Sequence, residues 1–134
     1  MGTVTLTDSR RALATALAGD PADLTVAPSP DAIKALPAVI VEPAPASWLD
    51  GSTDSGPGRT VRLGVRVRVV VNAQEPIGAL DDLEGVVERV CGRVPGPWRI
   101  DRAEGPQRVA ARGGELTALS ADLSLSTRYS ISCP

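Results

Sequence analysis

The sequence predicts an α+β fold: a mixed, mainly antiparallel sheet of about four or five strands, with two main helices packed on one face. Three observations predict it. Thr60 to Asn72 and Leu119 to Ile131 alternate apolar and polar residues with a period of two, as strands with one buried face do. Between them, Ile77, Leu80, Leu83, Val87, Val90 and Val94 recur at helical spacing within Glu75 to Val94. A shorter helical pattern, Leu13, Ala16 and Leu17, stands near the start of the chain. At 134 residues the chain suits one domain with a single core, residues 1–134.

Each element has its own justification. Asp8 can cap a helix over 8–18 by accepting backbone N–H bonds, and Gly19 with Pro21 stops it. Arg10 and Arg11 in its first turn oppose the macrodipole, so this helix needs docking to persist. A minor strand is expected at 22–27 and a helical turn at 29–35. Leu36 to Glu42 is a nearly continuous apolar, β-branched run, which reads as a buried strand with Pro37 at its start. Pro43 to Arg59 is rich in Pro, Gly, Ser and Asp, with Trp48-Leu49 as its only apolar anchor. It is expected to be a long loop, because such a composition cannot pack a core.

In Thr60 to Asn72, Val61, Leu63, Val65, Val67, Val69 and Val71 take the odd positions, and Arg62, Gly64, Arg66 and Arg68 take even ones. At about 3.3 Å per residue this strand spans on the order of 40 Å and should reach past its own domain body. The helix at 75–94 carries a separate acidic stripe, Asp81, Glu84 and Glu88. Gly85 weakens it by up to about 1 kcal/mol relative to Ala, and Pro95-Gly96-Pro97 ends it. Trp98 to Ala103 and Gln107 to Arg112 are expected to pair as a hairpin turning at Glu104-Gly105-Pro106. After Gly113-Gly114 comes the second long strand.

Composition excludes much chemistry. There is no histidine, and the aromatics are Trp48, Trp98 and Tyr129, so triads built on His, His-ligated metals and a base-stacking platform are all ruled out. Lys and Arg number 14 against 16 Asp and Glu, a net charge of −2, and no basic field draws the chain to nucleic acid or membrane. Cys91 and Cys133 form no CxxC motif and are expected to be free thiols. Gly56 to Arg59 (GPGR) lacks the ending of a phosphate loop. Asp81 and Asp82 point about 100° apart and suit a helix N-terminus better than a metal. No catalytic residue, metal site or cofactor is therefore expected. No apolar stretch reads as a signal peptide or membrane span, so synthesis and use in the cytosol, or incorporation into something built there, is expected. Thirteen of the 14 basic residues are Arg, a bias that suits a GC-rich genome.

The arginine row Arg62, Arg66 and Arg68 admits three readings. It can be a solvated outer face, or a nucleic-acid groove, which would want more basic residues and aromatics. It can also be a subunit interface in which it meets Asp81, Glu84 and Glu88 of a neighbouring copy. A heterologous contact of that kind repeats head to tail and closes into a ring when the rotation permits. Trp48, with Leu49 and Asp50, is either an anchor for its loop or a contact for a partner.

Taken in order, an N-terminal helix, LPAVIVEP, a loop with Trp48-Leu49-Asp50, a long Arg/Val strand, an amphipathic helix, then Trp98-Arg99-Ile100 and a final long strand resemble the tail terminator (tail completion) proteins of long-tailed bacteriophages. The resemblance covers about residues 8–131. It implies a small, non-catalytic virion protein whose hexameric ring stops tail-tube polymerisation and offers the surface where the filled head docks. The implied partners are other copies of itself, the tail tube protein and the head-tail connector or stopper, with DNA only passing through the lumen and no membrane contact. The implied location is the head-tail junction of the virion, after assembly in the host cytoplasm; the composition would suit an actinobacterial host. A head-tail connector or stopper (head completion) protein, and a non-viral homo-oligomeric interaction module, are the alternatives.

Overall fold

The structure, a computed structural model, describes residues 5–45, 48–55, 58–75, 77–114 and 116–132. Its elements are α1 (Leu6–Ala18), β1 (Thr25–Ala27), a 3-10 turn (Pro30–Ala32), β2 (Ala38–Pro43), β3 (Leu49–Ser55) and β4 (Gly58–Asn72), then α2 (Ala79–Gly92), β5 (Arg99–Ala111), a second 3-10 turn (Arg112–Gly114) and β6 (Leu116–Ser132). Five strands lie in the order β1-β2-β4-β6-β5, and β3 pairs with β4 on the side that β2 occupies further along. β1 and β2 are parallel and all other pairs antiparallel. The fold is α+β, as the alternation and the helical spacing predict.

The odd residues of β4 form the floor of the core. Leu63, Val65, Val67, Val69 and Val71 are buried; the four valines, with Val39, Val41, Leu123 and Leu125, meet Leu13 and Leu17 of α1 and Leu83, Val86 and Val90 of α2, and Leu63 lies beside Leu6 of α1. Both helices thus cover one face. β2 reads as continuously apolar because both its faces are covered. Its Ala38 and Ile40 enter a second, smaller cluster on the opposite face, with Ala27, Ile33, Val70 and Ala118.

Helix α1 starts one turn before the expected Asp8. Thr5 is the N-cap: its hydroxyl accepts from the Asp8 N–H at 3.0 Å, and the Asp8 carboxylate accepts from the Thr5 N–H at 3.3 Å, a reciprocal capping box. The earlier start moves Arg10 and Arg11 out of the first turn and relaxes their conflict with the macrodipole. Helix α2 starts later than expected, after Gly78 in a left-handed conformation (φ 90°). Its buried face is Ala79, Leu83, Val86 and Val90, turned away from the expected stripe, so Ile77 is 95% exposed and Leu80 is 49% exposed. Cys91 lies partly buried against the core, and burial pushes its thiol pKa up. Cys133 lies outside the described residues, as do Gly56 and Pro57 of the GPGR segment.

Two expectations are corrected. The stretch 43–59 is not a loop throughout, because Leu49–Ser55 pairs antiparallel with β4 from Leu49↔Leu63 to Ser55↔Gly58. The protruding end of β4 offers unpaired backbone groups, and satisfying them overrides a weak strand propensity. Nor do 98–103 and 107–112 form a hairpin. Arg99–Ala111 is one strand, β5, that crosses a bulge: Glu104 pairs with Asp122 and Gln107 with Ser120, leaving Gly105 and Pro106 opposite Ala121 alone. Gly105 has φ 109°, and a Cβ there would stand 3.1 Å from the Ser120 carbonyl oxygen. The chain reverses instead at Arg112–Gly114.

Leu123, fully buried, is expected to cost about 2–5 kcal/mol when truncated to Ala. Gly105→Ala should cost about 1–3 kcal/mol through its backbone conformation. Gly85→Ala should instead stabilise by roughly 0.5–1 kcal/mol, since a Cβ there meets nothing within 4 Å. Urea midpoints at constant slope check all three, and a stabilising Gly105→Ala would contradict the bulge.

Candidate functional site

Antiparallel register decides what the arginine row can do. On β4, Arg66 lies directly opposite Glu42 of β2, and Arg68 lies opposite Asp122 of β6. The Arg66 Nε donates to Glu42 Oε1 at 2.7 Å, and its Nη2 stands 2.5 Å from the same oxygen. Arg68 Nε sits between Glu42 Oε1 (3.3 Å) and Asp122 Oδ1 (3.5 Å), an ion-paired position in which neither Arg68 Nε nor Asp122 Oδ1 makes a well-formed hydrogen bond. Further along the same face, Arg62 Nη2 reaches Asp101 Oδ2 at 2.9 Å, and Arg99 Nη2 reaches Asp101 Oδ1 at 3.2 Å. A hydrogen bond from Ser126 does most to hold the Asp101 carboxyl below its ordinary pKa; Arg62 and Arg99 add to this against a raising effect of desolvation. All three predicted arginines are therefore answered by carboxylates of their own subunit.

The acidic stripe lies elsewhere. Asp81, Glu84 and Glu88 are exposed on α2, in the helical layer, so the sheet separates them from the arginine row within one subunit. Beside them the flank of α2 and the bulge of β5 enclose an open groove, with Leu80, Val87, Ala103, Pro106 and Ala121 on its walls and Glu84, Glu88 and Glu104 at its margin.

Trp48 anchors its segment to the body while its side chain remains partly exposed. Its carbonyl accepts from the Gly64 N–H at 2.8 Å, and it shares a small pocket with Leu6, Pro43, Leu63 and Val65, yet it stays 47% exposed. Leu49 is 37% exposed at the start of β3, and the Asp50 backbone pairs opposite Arg62.

One charged cluster is not foreseeable from spacing. Arg93 Nη1 donates to Asp23 Oδ1 at 2.6 Å and to the Leu17 carbonyl at 3.1 Å, while Arg89 Nη1 donates to Asp23 Oδ2 at 2.6 Å. These bonds tie the end of α2 to the α1–β1 connection. Gly19 makes room for them, since a Cβ there would lie 2.9 Å from the Arg93 guanidinium. Arginines late in a helix are visible in the sequence; their partner 66 and 70 residues away is not. Among the described residues no group of three or more Cys, Asp or Glu side chains is placed to hold a metal, and no helix is long and apolar enough to cross a membrane.

The hydrogen bond from Arg93, aided by the charges of Arg93 and Arg89, lowers the Asp23 carboxyl pKa against a raising effect of desolvation. A carboxyl depressed in the folded state contributes stability above its unfolded pKa of about 3.9 and loses it as the pH falls through the folded value. Asp23→Asn is therefore expected to lower the urea midpoint at neutral pH, with a gap to wild type that closes below about pH 4. A gap of constant size down to pH 2.5 would show that the carboxylate charge plays no part.

Comparison with protein-family models finds no match to this chain, and comparison with curated proteins finds none.

Proposed function

We propose that this chain is a structural subunit that closes with its own copies into a ring, of the kind that terminates the tail tube of a long-tailed phage and joins it to the head-tail connector. The β4–β6 ladder carries the reading. It runs without interruption from Gly58↔Ser132 to Asn72↔Ala118, whereas the helical cover lies over Leu63 to Val71. At about 3.4 Å per residue, the part from Gly58 to Arg62, flanked by β3, projects on the order of 15 Å past that cover. A ribbon of that length is poorly stabilised by itself and gains when another surface packs on it. The half-exposed Trp48 and Leu49 at the root of the ribbon supply an apolar contact for the tube or the connector. The ordered, internally paired charges of the open sheet face suit a rigid scaffold, and the work of such a subunit is geometric.

Native mass measurement of the purified protein tests the reading. A species of six subunits, and electron micrographs of six-fold rings that cap purified tail tubes, are the expected outcome. A strict monomer at every concentration, with or without tubes, would overturn it.

A further inference from the structure

We propose that the ring contact, if the ring reading above holds, joins the two lateral edges of the sheet: the α1–β1 edge of one copy enters the α2–β5 groove of the next. Since β1 and β5 end the five-strand path, the two surfaces face opposite ways on one subunit. They differ in charge. On the α1–β1 edge, Arg10 and Arg11 border an open cleft with Val26, Pro28 and Glu42, whose carboxylate is taken up by Arg66 and Arg68; the two arginines form no ion pair among the described residues, and Val26 is 48% exposed. On the α2–β5 edge the groove exposes Leu80 between carboxylates: Asp81, Glu84 and Glu88 have no ion-pair partner among the described residues, and Glu104 pairs only with Arg102 on its own strand. Arg108 is the remaining cation of β5 and leaves that edge net negative.

The arginine row has less charge to offer a neighbour, because Glu42, Asp122 and Asp101 already pair with it. Among the described residues Arg10 and Arg11 have no ion-pair partner, and they share a cleft with the exposed Val26. A two-fold contact would set acidic groove against acidic groove, which like-charge repulsion disfavours; a head-to-tail contact sets basic against acidic at every joint and permits closure. Strand addition is also disfavoured: β5 carries Pro106, a bulge and five charged residues between Arg99 and Arg108, the usual protections of an open edge, and β1 has only three residues. The joint is therefore made by side chains, with Val26 of one copy against Leu80 and Val87 of the next and the charges setting register.

Charge exchange tests this. Glu84→Arg with Glu88→Arg, and separately Arg10→Glu with Arg11→Glu, should each weaken self-association by about 100-fold or more. An equimolar mixture of the two should assemble, as should the protein carrying all four substitutions. Read by native mass with circular dichroism as the check on folding, rings undisturbed by either reversal would overturn the edge assignment and leave the ring reading standing. So would a mixture, or a fourfold variant, that stays monomeric while folded. A wild-type protein that never assembles would overturn both.

Discussion

Strand β4 is the constraint on which the other elements depend. Its period of two puts five apolar side chains under the helices and three arginines on the opposite face, and a one-residue slip of register would exchange the two sets. That exchange would bury guanidinium groups in the core and present valines to water, at a cost far above the few kcal/mol by which a small domain is stable. The register of β2 and β6 on β4 is thereby set. With it comes the placement of Glu42 and Asp122 opposite Arg66 and Arg68.

The same register governs the surface. A row of three arginines in a sequence looks like an offer to an anionic partner. Folded, it is a half-buried network whose carboxylates come from β2, β6 and β5. Partly buried ion pairs add little net stability, yet removing one partner leaves a costly unpaired charge, so such a face specifies geometry more than it binds. Among the described residues, Arg10 and Arg11 on α1 and Asp81, Glu84 and Glu88 on α2 are left without an ion-pair partner.

The two helices play unequal parts. α1 docks by a short Leu/Ala face and a capping box. α2 touches both β4 and β6, and its last turn is clamped to Asp23, so it couples the sheet to the α1–β1 connection. Because its buried face is centred on Leu83, Val86 and Val90, Leu80 and Val87 are displaced to the flank above β5. That rotation creates the groove. Had the helix buried the stripe that its spacing suggested, Leu80 would lie in the core and the edge would be flat and polar.

The sequence by itself determined the α+β class, the two long strands, the existence of both helices and which face of β4 is apolar, because periodicity is a local property of a chain half immersed in a core. It did not reveal β3, since Leu49–Ser55 has no alternation and pairs only because the end of β4 leaves backbone groups unsatisfied. It misread β5, since Gly105-Pro106 fits a turn and a bulge equally well and the neighbour β6 chose the bulge. The partners of Arg66, Arg68, Arg89 and Arg93 likewise came only with the tertiary structure. Ion pairing joins residues through space, and a charge pattern along the chain states what a side chain can offer, not which carboxylate the fold will place beside it.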